Sequence, residues 1–340
     1  MKTDQYFSEK IFYKEQKKIK SPIFICEISR LKNEGDFVVF DFYGEQYVAQ
    51  KGKEKISIFE NKCLHRNFPL KSEESGNGKL ICPYHGWFYN YEGKLIGIPK
   101  KECFEKKIKS KYLKQKIPEI CGKFLFASNK IGDLKKNLGK LHIVLEFITS
   151  NIEKSYFNKK IDYASNWKLC VENSLDEYHI VQVHPTNAGY FGFMKNFKYY
   201  EEKKNLILFS STEKNHNLSL DDFINNIKNQ RIDMDGYKII YIYPNLFLHI
   251  YLDMFYYTNF LALKPEKTIN RLEVFKLKQK IVSDEKVNRF IDTYFLPSVY
   301  EDKKIVEDQF NFFLKNNTFD LKEHFSIFEK RINLFRKNIG

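Results

Sequence analysis

The stretch CLHRNFPLKSEESGNGKLICPYHGWF, residues 63–88, carries Cys63 and His65 at one end and Cys82 and His85 at the other. Sixteen residues, Arg66 to Ile81, lie between the two halves. Two thiolates and two imidazoles suit zinc. They also suit a [2Fe–2S] cluster with two Cys on one iron and two His on the other. Zinc fingers group Cys with Cys and His with His, whereas here each half pairs one Cys with one His, as C-x-H and C-x-x-H. That alternation suits a rhombic cluster gripped by two loops, each giving one ligand to each iron.

The surroundings read as β-structure. FVVFDF, YVAQ and ISIFE precede the stretch, separated by turns at Tyr43-Gly44-Glu45 and Lys51-Gly52-Lys53. LICP, WFYNY and KLIGIP follow, with Glu92-Gly93 as a hairpin turn, and KFLFA (123–127) closes the series. Residues 23–128 are therefore expected to form a small all-β domain. Before it, residues 1–22 read as a charged amphipathic helix with Tyr6, Phe7, Ile11 and Phe12 apolar, ended by Pro22. After it, residues 129–340 read as an α+β domain. This part has a connecting helical stretch over 129–150, a helix near Trp167–His179, loop-rich sequence, and then the strands YKIIYIY, LFLHIYL, FYYTNFLAL and RLEVFKLKQ. Helix follows from about residue 284 to the end.

The 340 residues include 57 Lys+Arg against 43 Asp+Glu, a formal net charge of +14, with 43% hydrophobic residues and 16% aromatics. Intrinsic disorder is excluded by that apolar content. No run approaches the roughly 20 apolar residues of a membrane span, and the charged first residues MKTDQYFSEKIFYKEQKKIK have no apolar signal core. A cytoplasmic protein is expected. The lysines are scattered over solvated faces; no basic arm or helix-turn-helix marks a nucleic-acid binder. Among six cysteines, Cys26, Cys103, Cys121 and Cys170 read as buried thiols.

The pair CLHR…CPYHGWFY resembles the Rieske [2Fe–2S] signature, and the following WFYNYEG run fits it. The resemblance implies that Cys63 and Cys82 bind the inner iron and that His65 and His85 bind the outer, more exposed one. Asn67 departs from the glycine found there in many relatives.

A second constellation follows in NWKLCVENSLDEYHIVQVHP, residues 166–185. Asp176 and His179 are three apart and share a helical face. His184 lies five beyond His179, about 140° round an undistorted helix. Pro185 disfavours helical geometry at His184, so a local break there brings the two imidazoles together. Two His and one carboxylate form the facial triad of non-haem Fe(II) oxygenases. In the C-terminal helix, Asp302 falls on a stripe with Ile305, Val306, Gln309, Phe310 and Phe313 and points inward, while Glu301, Glu307 and Asp308 point elsewhere.

This run is similar to the catalytic-domain signature of the Rieske non-haem iron oxygenases, the ring-hydroxylating oxygenase alpha-subunit family. The resemblance implies a helix-grip catalytic domain in which His179, His184 and Asp302 bind a mononuclear Fe(II). Asp176 would join a cluster histidine of one subunit, His85, to an iron histidine of the next, His179, in a head-to-tail homotrimer. Asn173 matches a polar residue near the iron. It also implies a terminal oxygenase component. Electrons would come from NAD(P)H through a ferredoxin or flavin reductase, and O2 would serve to hydroxylate or oxidatively demethylate a small organic substrate. An aromatic-ring dihydroxylating oxygenase is the alternative within the family; a non-oxygenating Rieske electron-transfer protein is the alternative outside it. The strand aromatics Tyr241, Tyr243, Phe247, Tyr251, Phe255, Tyr256 and Tyr257 would suit an aromatic ring or a quaternary ammonium. His249 lies among them and reads as structural; His142, His216 and His324 have no matching partners.

Overall fold

The computed structural model describes residues 1–42, 44–105, 108, 111–186, 196–211, 219–228, 237–251, 254–278, 283–316 and 318–339. Tyr43, His216, Leu252 and Gln279 lie outside them. The elements are α1 (Asp4–Phe7), α2 (Glu9–Lys18), β1 (Ile23–Glu27), β2 (Asp36–Phe42), β3 (Glu45–Lys51), β4 (Ile56–Glu60), β5 (Ser75–Asn77), β6 (Leu80–Ile81), β7 (Phe88–Tyr89), β8 (Leu95–Gly97), β9 (Gln115–Cys121) and β10 (Phe124–Ser128). They continue as α3 (Asp133–Leu138), α4 (Leu141–Ser150), β11 (Ile152–Tyr163), α5 (Trp167–Ser174), α6 (Ile180–Val183), β12 (Asn196–Glu202), β13 (Asn205–Ser211) and α7 (Leu220–Lys228). The last are β14 (Tyr237–Ile242), β15 (Leu246–Tyr251), β16 (Met254–Lys264), β17 (Lys267–Leu277), α8 (Asp284–Phe290), α9 (Leu296–Lys315) and α10 (Lys330–Ile339).

Two compact units result: Lys20–Asn137, and Met1–Ile19 with Leu138–Gly340. The sequence places the boundary at 128/129; here it falls after Asn137. The N-terminal segment belongs with the second unit rather than standing apart, because Tyr6 and Phe12 are buried and the Tyr6 hydroxyl donates to Glu172 at 2.8 Å. That segment is also two helices, not one. Ser8 is extended and its hydroxyl oxygen accepts from the Ile11 N–H, starting α2 afresh.

In the first unit, β1-β10-β9-β4-β3-β2-β5 form one sheet and β6-β7-β8 another. Strand periodicity splits the buried residues into two cores. Val38, Phe40, Phe42, Tyr47 and Ala49 enter one, while Phe37 and Val48 enter another with Phe59, Leu80, Trp87, Tyr89 and both Cys63 and Cys82. Each fully buried aromatic there contributes about 1.5–3 kcal/mol, so the two cysteine loops rest on a stiff floor.

In the second unit, one antiparallel sheet runs β11-β17-β16-β15-β14-β13-β12. α8 passes through a one-turn π segment, Ile291–Phe295, directly into α9. Helix does not continue to the end: it stops at Lys315 and resumes at Lys330. The buried stripe of α9 is Val299, Val306, Phe310 and Phe313, while Ile305 and Gln309 are exposed, so the buried stripe is narrower than the expected one. No described helix is long and apolar enough to cross a membrane.

Candidate metal centres

The two cysteine loops leave β4 and β6 and are built alike. In the first, the Cys63 N–H donates to the Phe68 carbonyl at 2.8 Å and the Asn67 N–H to the Cys63 carbonyl at 2.9 Å. In the second, the Cys82 N–H donates to the Trp87 carbonyl at 2.8 Å and the Gly86 N–H to the Cys82 carbonyl at 2.9 Å. The fourth residue after each cysteine is left-handed, Gly86 at φ +70° and Asn67 at φ +57°. Asparagine tolerates that region better than other residues with a Cβ, so Asn67 keeps the loop shape that a glycine would give.

Both thiols are buried, at 1% and 2% exposure, while His65 is half-buried and His85 exposed. The Cys63 sulfur lies 3.2 Å from the Tyr89 hydroxyl. Burial raises the Cys63 pKa, against that bond. The His65 ring stacks on Trp87 at 4.9 Å and meets the His85 ring edge-on at 4.6 Å; its Nδ1 is buried without a hydrogen-bond partner. A single tetrahedral zinc needs donors about 3.3–3.8 Å apart. Among the described residues, no three of these four donors lie within 4.8 Å of one another. The set therefore fits the longer span of a two-iron cluster, with thiols inside and imidazoles outside.

In the second unit, His179, His184 and Asp302 converge. The two Nε2 atoms are 3.3 Å apart, and Asp302 Oδ1 lies 3.3 Å from His179 Nε2 and 3.0 Å from His184 Nε2. One face of an octahedron with bonds of about 2.1 Å has donors about 3 Å apart, so this triangle fits one ion with open positions opposite. The chain breaks where Pro185 demands it: α6 stops at Val183 and His184 adopts φ −118°, ψ 61°. A second break, after Ser174, puts Asp176 in a turn rather than on a helix.

Residues 21–115 match the Rieske [2Fe–2S] domain family, and residues 153–339, more than half the chain, match the ring hydroxylating alpha subunit (catalytic domain) family. The chain belongs to the ring-hydroxylating alpha-subunit family. Its fold is that of naphthalene 1,2-dioxygenase from Rhodococcus sp. (TM-score 0.78, 15% identity, 99% of this chain and 92% of the other). The quaternary ammonium Rieske monooxygenase CntA bound to L-carnitine is also similar (TM-score 0.73, 19% identity, 91% and 84%). Among curated proteins, the large subunit of anthranilate 1,2-dioxygenase from Acinetobacter baylyi is 31% identical over 197 residues, 53% of this chain and 41% of that one. The oxygenase subunit of carnitine monooxygenase from Acinetobacter baumannii is 27% identical over 206 residues, 53% and 51%. The matches span about half the length of these curated relatives, or less. A Rieske [2Fe–2S] domain and a ring-hydroxylating catalytic domain imply a cluster and a mononuclear iron in this family member.

Each histidine of the triangle turns its other nitrogen to a carboxylate, as metal-bound imidazoles do. His179 Nδ1 is 3.4 Å from Asp176 Oδ2, close enough to attract, though the angle makes no hydrogen bond. His184 Nδ1 is 2.7 Å from Glu301 Oε2. Glu301 does not point elsewhere, as the helical stripe suggested: its longer side chain reaches back from the helix shoulder. Burial alone would lower both imidazoles. Asp176 and Asp302 outweigh it at His179, raising the pKa to about 9; Asp302 and Glu301 outweigh it at His184, which is also raised. Burial raises Asp302, but its two imidazole partners outweigh that and hold it well below the carboxylate range.

With no metal bound, His179 is protonated at neutral pH. Its raised pKa stabilises the fold fully below about 6.5, the ordinary imidazole value, and that contribution is lost as pH rises through about 9. Metal competes with the proton. Co(II) affinity of metal-free protein is therefore expected to rise, by up to about tenfold per pH unit, between pH 6.5 and 9, with the rise attenuated in His179→Asn. Calorimetric titration at stepped pH reads this directly.

Arg331 was not legible as part of the centre. It is buried in α10, pairs with Glu177 and donates to the Leu175 carbonyl at 2.8 Å, so it grips the turn on both sides of Asp176. Glu307 is likewise engaged, accepting the Ala164 N–H at 2.6 Å. Cys103 is exposed rather than buried; the other three spare cysteines are buried.

Beside the triangle lies a cavity of about 670 Å³ bordered by Asn173, Asp176, His179, His184, Asp302 and residues of the sheet and of the α8–α9 helix. Of the seven strand aromatics singled out above, only Tyr256 borders it. The register explains the sheet's contribution. Ile239 pairs with His249 and His249 with Tyr256, so these three share one face, while Phe255 and Tyr257 face the opposite way.

Proposed function

We propose that the chain is the terminal oxygenase component of a Rieske non-haem iron system. It takes electrons from NAD(P)H through a ferredoxin or flavin reductase and uses O2 to hydroxylate or oxidatively demethylate a small organic substrate. The observation carrying this reading is that one chain holds a Rieske loop pair and a His179–His184–Asp302 triangle bordering a mostly apolar cavity. Cys63, Cys82, His65 and His85 hold the cluster. When bound, the cluster supplies one-electron relay and the mononuclear iron supplies O2 activation.

The protein's part is positional. His179, His184 and Asp302 would hold the metal, and all three border the cavity. Glu301 fixes the His184 ring, and Asp176 orients His179. The apolar walls exclude water from the substrate. Asn173 borders the cavity near the triangle and serves as a polar contact there. Asp176 links His85 of one subunit to His179 of the next in a head-to-tail homotrimer, in the cytoplasm.

Relatives are named for anthranilate 1,2-dioxygenation, carnitine monooxygenation and N,N-dimethyl phenylurea N-demethylation, so all three kinds of reaction stand among the names of similar chains. The net charge of +14 gives an acidic reductase a steered approach. The test is oxygen uptake with reconstituted protein, NADH and a generic reductase, screened over ring compounds and methylated amines. Substrate-dependent uptake that slows as salt rises is expected. Cluster reduction with no compound raising uptake would instead favour a non-oxygenating electron-transfer protein.

A further inference from the structure

Resting on the oxygenase reading above, we infer that Tyr237 is a one-electron donor to the mononuclear iron, with His249 taking its proton, and that the pair quenches oxidising equivalents that arise when no substrate fills the cavity. Tyr237 and His249 border the same cavity as the His179–His184–Asp302 triangle. Burial raises the Tyr237 hydroxyl well above the phenol range; the Tyr256 hydroxyl and the Asp302 carboxylate add to the rise, so Tyr237 feels the charge of a metal ligand. The Tyr237 oxygen lies 2.5 Å from His249 Nδ1 and 2.6 Å from the Tyr256 hydroxyl. The His249 ring stacks on Tyr256 at 4.5 Å and 7°, which fixes the imidazole. With hydrogen on Nε2, His249 accepts from Tyr237 at Nδ1, and Tyr237 accepts from Tyr256. Tyr163 also borders the cavity, but its hydroxyl donates to the Val299 carbonyl at 3.2 Å, a group that cannot keep a proton.

A metal that activates O2 beside an empty cavity leaves oxidising equivalents that only the protein can take up. The neighbouring wall residues Phe260, Phe290 and Phe295 are harder to oxidise than a phenol. A phenol that loses an electron becomes a strong acid, so its O–H bond breaks as the electron leaves. The electron goes to the iron site, and the proton moves along the existing hydrogen bond to Nδ1. Burial pushes His249 down to about 3, so the imidazole is neutral beforehand and its lone pair is available. The same burial drives the proton back once the phenoxyl is reduced. Tyr251 is half-buried, pairs with Tyr237 across β14 and β15, and has its ring 6.3 Å from the Tyr237 ring. It passes on the restoring electron from a thiol outside. For hydrogen peroxide as oxidant, two such cycles deliver two electrons. The O–O bond breaks, two protons complete two waters, and two thiols lose those electrons and protons to form one disulfide.

The test adds hydrogen peroxide to the iron-loaded protein with its cluster oxidised and no organic substrate present. Samples are freeze-quenched for electron paramagnetic resonance, after metal analysis of each variant. A phenoxyl radical is expected, with a spectrum that narrows when the tyrosines are ring-deuterated and that a thiol erases. Tyr237→Phe is expected to lose the radical while keeping both metal centres filled. Tyr256→Phe is expected to keep the radical with its g-anisotropy shifted, because the phenoxyl oxygen loses a hydrogen bond. Asp302→Ala, lacking the mononuclear iron, is expected to give none. No radical in the parent overturns the inference, as does a radical that survives Tyr237→Phe, one as strong in Asp302→Ala, or one left unshifted by Tyr256→Phe. Peroxide needs neither reductase nor substrate, so the outcome is independent of oxygen uptake. A radical at Tyr237 in a protein that never shows substrate-dependent uptake counts against the oxygenase reading and leaves the Tyr237–His249 donor standing.

Discussion

Asp302→Ala is expected to abolish substrate-dependent oxygen uptake and to remove one iron per chain, while the cluster's absorbance and sulfide content stay unchanged. Asp302 Oδ1 lies within 3.3 Å of both imidazole Nε2 atoms, so its loss takes away one of three donors and the only one with a formal negative charge. Removing an outer partner of a metal ligand costs roughly 10–100-fold; removing the ligand itself costs more. Glu301→Gln serves as the graded comparison, because Glu301 touches only the far nitrogen of His184. The two variants should therefore separate, with Glu301→Gln retaining iron in part and Asp302→Ala retaining none at this site. Metal analysis beside uptake rates decides it. Full iron occupancy and turnover in Asp302→Ala would move the third ligand elsewhere.

Asp176→Asn is expected to keep both metal centres filled and still lower turnover by about 100-fold or more. The change preserves shape and removes charge. One Asp176 oxygen accepts the Tyr178 N–H at 2.6 Å, holding the turn. The other faces His179 Nδ1 at 3.4 Å, and the imidazole N–H it attracts would be the receiving end of the link between centres. If electrons pass between subunits through this side chain, a pre-reduced cluster should reoxidise far more slowly with substrate and O2 present. Single-turnover spectroscopy at the cluster's visible bands measures that rate. Reoxidation at the parent's rate would show that Asp176 is only an orienting partner of His179. Arg331, which grips the same turn from α10, then gives a control: Arg331→Lys shifts the turn without deleting the carboxylate.

The parts of this arrangement that were readable from the chain are those with short-range rules. The C-x-H and C-x-x-H halves, the spacing of Asp176, His179 and His184, and the effect of Pro185 on His184 all lie within a few residues of one another. Asp302 was reached through helical periodicity, and the same periodicity misled for Glu301, because a stripe predicts where a Cα sits and not how far a glutamate reaches. Arg331 stands 155 positions from Asp176 and carries no local mark. In the fold, the four long hydrophobic strands were plain, but β11, an edge strand carrying Lys154, Lys159 and Lys160, has no continuous apolar run to mark it. β12 and β13 turn through Lys203 at φ +61°, with neither Asn-Gly nor Asp-Gly to announce the hairpin. The break at Ser8 in the N-terminal helix is marked by a serine that caps α2, although the apolar positions run through it.

Two separate iron centres in one polypeptide are the claim on which the rest depends. Anaerobic reconstitution followed by iron and acid-labile sulfide analysis, with an electronic and an electron paramagnetic resonance spectrum, measures them together. About three iron and two sulfide per chain, with the spectrum of a cluster ligated by two Cys and two His, is the expected result. Zinc with no sulfide would contradict it at Cys63, His65, Cys82 and His85, and two iron with two sulfide would leave His179, His184 and Asp302 without their metal.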